Sequence, residues 1–488
     1  MAADLVGPYV FAYADLVKGK LWLARDPVGN RTLYYYSDTY TFLVASEEQA
    51  LLPLITPKPC LDPTATAHFF ASVPCGENTF FQSIKELLPG WMLTCDPHSL
   101  EKFPFSNSLE PEETLLHEQT VILEQLTQKL SEAVSVRLNS ESSTGIMLSS
   151  GTDSSTLAAL SNHNLHISAG SGTLMPISYR FDAFQEANEG PEIKELCHLL
   201  GLQNQSFDAS SMRPFKSWQS SPPNPNTPED NLYRPILQKL YGLAAEQGCQ
   251  VLLTGAFGDH HFAGSYRWLL EALQHGKWRH AFRNFKIDLQ LNGLRTTLRR
   301  SGFGSKQHLR LQPAPPRYLT QYAASMWSAP ALYQPFNSKP PIHQGALQSA
   351  LAARSFSREQ YYSHRAGIEL RHPYRDRQLI ALSQRLPAYY LYQNGTKKWW
   401  LKQIRNHFLP MPSQTTIANK NLEPFYQACL TLDRHQIHQA LRSSEAIWSP
   451  WIEPNSVYQS ISEHQKEEVP SYLWWLCLSF SKWYQYVF

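Results

Sequence analysis

The chain has 488 residues, 42% apolar and 17% charged, which is enough for two or three domains and excludes general disorder. A formal net charge of +2 gives no global electrostatic reason to expect a nucleic-acid partner, so any basic site has to be local. The seven cysteines (Cys60, Cys75, Cys95, Cys197, Cys249, Cys429 and Cys477) are odd in number and hold no CxxC pair, which argues against a metal knuckle or disulfide framework and fits a reducing cytoplasm.

Met1 to Asp4 lacks a basic start leading into an apolar run, so no signal peptide is expected. Residues 9–14, 20–25 and 32–36 read as strands, with turns near Lys18-Gly19 and over Asp26–Asn30. The polar, acidic stretch Leu109–Glu113 suits a boundary, dividing the chain into 1–112 and 113–488. Val121, Ile122, Leu126, Leu130, Val134 and Val136 then recur at helical spacing over 120–138.

Strand and helix patterns alternate from there. Strands are predicted at 145–148, 175–181 and 251–253, and helices at 156–161, 192–200 and 237–246. This order predicts a parallel sheet covered by helices on both faces. Beyond Gly255 the pattern is mostly helical, broken by prolines at 313–316 and 340–341. Pro222–Asp230 reads as a loop near a site or the surface. Lys277–Arg310 is strongly basic, with Asp288 its one acid. It reads either as a solvated helical face or as a surface for an acidic peptide or partner protein, without a nucleic-acid recognition motif. The aromatic stretch Tyr472–Phe488 is interrupted by Ser479, Ser481, Lys482 and Gln485 and falls short of a span, so a buried helix is expected and no membrane contact.

The chemistry concentrates at Ser149-Ser150-Gly151-Thr152-Asp153-Ser154-Ser155, directly after a buried strand and opening a helix. Small residues let backbone N–H groups close around phosphate oxygens, the helix N-terminus adds partial positive charge, and Ser149, Ser154 and Ser155 add hydroxyls. Asp153 beside a polyphosphate calls for a cation, and Mg2+ is the natural one. The loop lacks the Gly-Lys-Ser/Thr of a Walker loop. Thr254-Gly255-Ala256-Phe257-Gly258-Asp259 also follows a buried strand, and Asp259 could complete the Mg2+ site with Asp153. His260 and His261 are adjacent and do not readily face one metal, so zinc is not expected.

The first loop resembles the PP-loop pattern SGGxDS, with Ser150 in place of the first glycine. Leu23-Ala24-Arg25-Asp26-Pro27-Val28-Gly29-Asn30, Asn188-Glu189, Gly367-Ile368-Glu369-Leu370-Arg371-His372-Pro373-Tyr374 and Lys398-Trp399-Trp400-Leu401-Lys402 follow in the order seen in the asparagine synthetase superfamily, and the set resembles that family over most of the chain. The resemblance implies an α/β fold: a PP-loop parallel sheet flanked by helices with a mostly helical C-terminal half, preceded by a small β-rich truncated glutaminase-like (Ntn-type) domain. It implies ATP cleavage to AMP and pyrophosphate. It places nucleotide contacts at Leu148, Ser149, Ser150, Gly151, Asp153, Ser154, Ser155, Ser178, Gly255 and Asp259, and Mg2+ at Asp153 and Asp259.

The family's glutaminases use a cysteine exposed by loss of Met1. Ala2 stands there, so glutamine hydrolysis is not expected. Asp259-His260 replaces the usual Asp-Glu and is similar to lasso peptide cyclases, which join the N-terminal amine of a core peptide to an Asp or Glu side chain. That resemblance implies a leader-free core peptide as substrate, and a leader-binding protein and a leader peptidase as partners. A β-lactam-synthetase-like or other small-molecule amide synthetase, or a degenerate nucleotide-binding scaffold, are the alternatives. Lys398, favoured over Lys397 by its spacing to Leu401-Lys402, would stabilise charge at the reacting centre. Glu369, with a tyrosine such as Tyr333, would accept the amine proton. The competing reading of Glu369 and Arg371 is a structural ion pair.

Overall fold

The computed structural model describes residues 4–105, 118–138, 143–167, 172–263, 268–300, 314–327, 355–409, 420–462 and 469–488. The expected boundary at 112/113, the proline pair at 340–341 and Tyr333 lie outside these residues.

The N-terminal part is β-rich, as expected. Its strands are β1 (Val10–Asp15), β2 (Lys20–Arg25), β3 (Tyr34–Ser37), β4 (Phe42–Ala45), β5 (Ile84–Glu86), β6 (Trp91–Asp96) and β7 (Ser99–Pro104). They form one antiparallel sheet in the order β1-β2-β6-β7 and a second in the order β4-β3-β5. Alternation within β2 turns Leu23 inward, where it packs with Leu33, Tyr35, Leu87 and Leu93. Asp26, buried in the turn after β2, accepts the Val28 N–H at 3.1 Å and the Asn30 N–H at 3.0 Å, so its carboxylate shapes the loop 26–31.

The larger part is built on β8 (Thr144–Met147), β9 (Leu174–Arg180), β10 (Gln205–Asp208), β11 (Val251–Leu253) and β12 (Glu369–Arg371). All neighbours are parallel, in the order β10-β9-β8-β11-β12. The chain winds outward from β8 to β10, then crosses to β11 on the other side, so the strand order reverses between β8 and β11. Loops at the carboxyl ends of strands flanking such a reversal border a ligand crevice.

The helix Gln119–Ser135 buries Ile122, Leu126, Leu130 and Val134 completely, packing chiefly against the helices Thr152–Ile167, Arg377–Gln384 and Trp399–Phe408. Each such side chain is worth about 1.5–3 kcal/mol of hydrophobic stabilisation. Val121 and Val136, also on the expected stripe, are exposed, because they sit off the inward face. Two further differences matter. The fifth strand, β12, belongs to a segment expected to be helical. Pro222–Asp230, expected near a site or surface, is largely interior: Asn224, Asn226, Thr227 and Glu229 are buried, and Glu229 pairs with buried Arg234 at 2.8 Å.

The aromatic C-terminal helix Leu473–Val487 is buried as expected. Its Phe480 ring lies 5.1 Å from Phe70, and its Trp483 ring 4.9 Å from Phe80, so the helix clasps the N-terminal part. Among the described residues no helix is long and apolar enough to cross a membrane.

Candidate active site

Residues 148–151 leave β8, and the helix Thr152–Ile167 begins at once, so the turn is held by its own serines. The Ser149 and Ser154 hydroxyl oxygens are 2.8 Å apart. Ser154 Oγ also donates to the Ser149 carbonyl at 2.9 Å, and the Gly151 N–H reaches Ser149 Oγ at 3.2 Å. The Ser150 N–H donates to the Glu189 carboxylate at 2.7 Å. Asn188-Glu189 therefore closes one side of the loop.

The second loop, after β11, comes very close to the first. A Cβ on Gly255 would lie 3.1 Å from the Ser154 nitrogen, and one on Gly258 would lie 2.5 Å from the Asp153 carboxyl carbon. Thr254 anchors this loop, with its hydroxyl 2.6 Å from His372 Nδ1 and its N–H on the Arg371 carbonyl at 3.1 Å. Burial pushes the His372 imidazole down to about 3, so it is neutral there.

A third element brings the cation. Lys398 precedes the helix Trp399–Phe408, and its ammonium lies 2.6 Å from Asp153 Oδ2 and 2.7 Å from Asp259 Oδ1. Lys398 and Phe257, at the starts of the two helices flanking this cluster, both adopt left-handed backbone, with φ of +56° and +80°. Non-glycine residues there cost about 1–2 kcal/mol each, and such strain gathers at functional sites.

Burial raises the Asp153 carboxyl to about 6 despite the Lys398 ammonium beside it, and Asp259 adds to the rise. Burial alone would lower Lys398, but the two carboxylates hold it above the usual lysine range. Asp153 Oδ1 is buried without a hydrogen-bond partner. Two carboxylates that already share one cation, with an oxygen left over, fit a divalent ion that keeps waters and substrate phosphates as its other ligands. Among the described residues no group of three or more His, Cys, Asp or Glu side chains converges on a metal position. His261 is buried with Nδ1 2.9 Å from the Ser383 hydroxyl, while its neighbour His260 is exposed.

Behind the loops lies a cavity of about 410 Å3. Ser149, Gly151, Asp153, Ser154 and Gly255 form its polar rim, Leu148 contributes to its wall, and Tyr179, Phe181 and Leu240 provide an apolar side.

Three residues here were not singled out from the sequence. Lys420 lines the cavity and pairs with Glu192 at 2.7 Å. Tyr374, fully buried, donates its hydroxyl to the Asp153 carbonyl at 3.0 Å. Gly258 permits the approach of the two loops. Tyr374 carried a signal as the aromatic in the resembled motif after Glu369, and Gly258 as part of the second loop; Lys420 carried none.

Some expected contacts lie elsewhere. Ser155 is fully buried and donates to the Thr152 carbonyl at 3.1 Å, because one further helical step turns it inward. Ser178 is buried and exchanges hydrogen bonds with the Asn204 side chain. Ser150 is buried and is not among the cavity-lining residues; its backbone N–H meets Glu189. Glu369 stands opposite Val251, at the start of β12 rather than beside the loops. Its oxygens meet Arg31 at 2.5 Å and Arg371 at 2.9 Å. Burial would raise its carboxyl, but Arg371 and Arg31 hold it below the usual range, which makes it a poor proton acceptor. The ion-pair reading describes Glu369 in this structure.

A parallel sheet with a serine-rich loop at its strand reversal, facing a Lys–Asp–Asp cluster, defines a nucleotide-binding α/β domain. Residues 125–485 match the asparagine synthase family, and the chain belongs to it; residues 1–106 match a glutamine amidotransferase domain. The chain is 27% identical over 280 residues to an amidase of Gibberella zeae, chry2, covering 54% of this chain and 40% of the amidase. It is equally similar, over the same shares, to the amidase chyE of Penicillium rubens. A glutamine-hydrolyzing asparagine synthetase of Bacillus subtilis is 26% identical over 208 residues, 40% of this chain and 33% of that protein. The chain thus spans 40% or less of the length of these relatives.

Proposed function

We propose that the protein closes a macrolactam on a leader-free core peptide, as lasso cyclases do, by adenylating an Asp or Glu side chain and joining it to the peptide's N-terminal amine. The observation that carries the adenylation step is that Lys398 bridges Asp259 and Asp153, the latter lining the cavity. The cyclase assignment rests on the Asp259-His260 variant of the second loop.

ATP lies with its base against Tyr179, Phe181 and Leu240 and its phosphates on the loop 149–154. Asp153 and Asp259 would hold Mg2+, which would supply charge neutralisation at the phosphates. The acceptor carboxylate oxygen attacks the α-phosphorus and the bond to pyrophosphate breaks. Two anions must approach, and the ammonium of Lys398 lowers that repulsion. Lys420 offers a second positive charge from the facing wall. The amine nitrogen then attacks the acyl carbon, AMP leaves, and the amine gives up a proton. A peptide α-amine has a pKa near ~8, so roughly a tenth of it is neutral at pH 7 and a modest base suffices; the proton shed by the attacking nitrogen passes to solvent or to the phosphate of the leaving AMP. Glutamine hydrolysis has no part in this reading.

The test is mass spectrometry of candidate core peptides incubated with the protein, Mg2+ and ATP, with AMP and pyrophosphate followed alongside. A product lighter by one water that resists unthreading, absent with Asp153→Ala, is expected. AMP without a change in the peptide would replace the peptide by another acceptor. No AMP with any acceptor or partner would sink the reading.

A further inference from the structure

Lys398 reaches its two carboxylates from a backbone that its neighbours must hold in place. Asn394, Gly395 and Lys398 all adopt left-handed conformations, with φ of +52°, +69° and +56°. Relaxing Lys398 to right-handed backbone would recover about 1–2 kcal/mol and swing its side chain away from Asp153 and Asp259. Contacts on both sides of it have to outweigh that gain. After Lys398, Trp400 is fully buried, and the Leu401 carbonyl accepts the Thr156 hydroxyl at 3.2 Å. Thr156 lies on the helix Thr152–Ile167, which also carries Asp153.

Before Lys398 the anchor is the helix Trp278–Arg300. Its one acid, Asp288, is fully buried and accepts the Tyr392 hydroxyl at 2.6 Å. Asn284, one turn earlier and equally buried, accepts the Asn394 N–H at 2.7 Å. The turn 393–396 closes on itself, with the Thr396 N–H on the Gln393 carbonyl at 2.8 Å and the Gln393 N–H on the Thr396 carbonyl at 3.2 Å. Gly395 lies against the same helix, where a Cβ would stand 2.7 Å from Leu291 Cδ1 and 3.4 Å from Ile287 Cγ2. Between Trp278 and Asn292 the buried positions of the helix are Ala281, Asn284 and Asp288. A helix packed for stability alone turns apolar residues inward. Here two of the three inward positions are polar, and both grip the segment that leads to Lys398. Directional hydrogen bonds fix where that segment sits, which apolar contact does not.

We propose that Asn284 and Asp288 are positioning residues for Lys398: by clamping Asn394 and Tyr392 they fix the turn 393–396, and that turn keeps the ammonium between Asp153 and Asp259. The catalytic consequence rests on the role given to Lys398 above; the placement of its ammonium does not.

The test is the rate at which a water-soluble acetylating reagent modifies each lysine of the full chain, followed by mass spectrometry without ATP or peptide. Lys18, 74% exposed, is the fast reference. Lys482, whose ammonium donates to the Trp218 and Ser221 carbonyls at 2.6 and 2.7 Å, reports general loosening. Lys398 of the wild type should react at least about tenfold more slowly than Lys18, because only a neutral amine is acylated and two carboxylates hold this one charged. Tyr392→Phe removes only the hydroxyl and keeps the ring that stacks 5.3 Å from Trp268. It and Asn284→Ala should each raise the Lys398 rate at least about threefold, the scale of one lost hydrogen bond, with Lys18 and Lys482 unchanged. A wild-type Lys398 as fast as Lys18, or one unmoved in both variants, overturns the proposal. So does an equal rise at Lys482 in Tyr392→Phe. If Asn284→Ala alone loosens the chain, Tyr392→Phe decides. No nucleotide or peptide takes part, so a failed macrolactam assay and a failed labelling result are told apart.

Discussion

Gly258 and Asp153 meet so closely that a Cβ on the first would lie 2.5 Å from the carboxyl carbon of the second. Real Cβ contacts do not approach so near, so Gly258→Ala must push Asp153 off Lys398 or open the loop after β11. Either movement separates the carboxylates that share one cation. We expect Gly258→Ala to weaken Mg·ATP binding at least about tenfold, with a small change in Tm, because the displacement is local. Calorimetric titration of ATP with Mg2+ checks this; undiminished binding would refute it.

The Asp153 carboxyl, raised to about 6 chiefly by burial, sets a pH edge. Its folded value lies above the ordinary aspartate value of 3.8, so the folded state holds the proton more tightly than the unfolded chain does. The favourable contribution is complete below about 4, falls as pH rises toward 6, and is gone above it. At pH 7 the charged carboxylate therefore strains the fold by on the order of 1–3 kcal/mol. Asp153→Asn should raise Tm at pH 7, leave it nearly unchanged near pH 4, and abolish AMP formation. AMP formation by the wild type should decline as pH falls through about 6. A lower Tm for Asp153→Asn at pH 7 would contradict this account.

Lys398 and Lys420 are separable. Lys398 bridges both carboxylates, whereas Lys420 reaches the cavity while paired with Glu192. Lys398→Met should reduce kcat about 100-fold or more, the scale of losing one preorganised charge at a reacting centre. Lys420→Met should mainly raise KM for ATP. Steady-state pyrophosphate release resolves the two, and identical kcat losses with unchanged KM would merge their roles.

The two parts of the chain are joined by arginines of unequal worth. Arg375, fully buried, donates to the Val28 and Gly29 carbonyls at 2.5 and 3.2 Å and stacks 4.5 Å over Phe257. Burial pushes its guanidinium down to about 9. The Arg31–Glu369 pair has side chains 31% and 33% exposed. Arg375→Ala should cost about 3–5 kcal/mol, because the carbonyls and the Phe257 ring lose a buried partner. Arg31→Ala should cost about 1 kcal/mol or less. Chemical denaturation of both variants gives the comparison, and a reversed order would show that the contact is held elsewhere.

The phosphate loop was legible because its chemistry is local: small residues, hydroxyls and a helix start occupy seven consecutive positions. Asp259 was legible by pairing a second short loop with the first, and Lys398 only through family resemblance. The pairing of Glu369 with Arg371 was legible within one short motif, whereas its second partner Arg31 lies 338 residues away, and no local pattern announces that contact. Ser155 was overcounted for a simpler reason, since helical periodicity already turned it inward. Lys420 stands in no motif and reaches the cavity through tertiary packing alone. β12 escaped because three residues show no periodicity, and its parallel partner supplies the whole case for a strand.

The distance in sequence between β11 and β12 bears on synthesis. Leu253 and Arg371 pair directly, yet they stand 118 positions apart in the sequence. At ribosomal rates of roughly 5–20 residues per second, β11 waits about 6–23 s for its neighbour, with its outer N–H and C=O groups unpaired. During that interval the nascent sheet offers a sticky rim beside the future catalytic loops. A chain halted before Glu369 would keep that rim permanently, so prematurely terminated products should aggregate rather than persist as nucleotide-binding fragments.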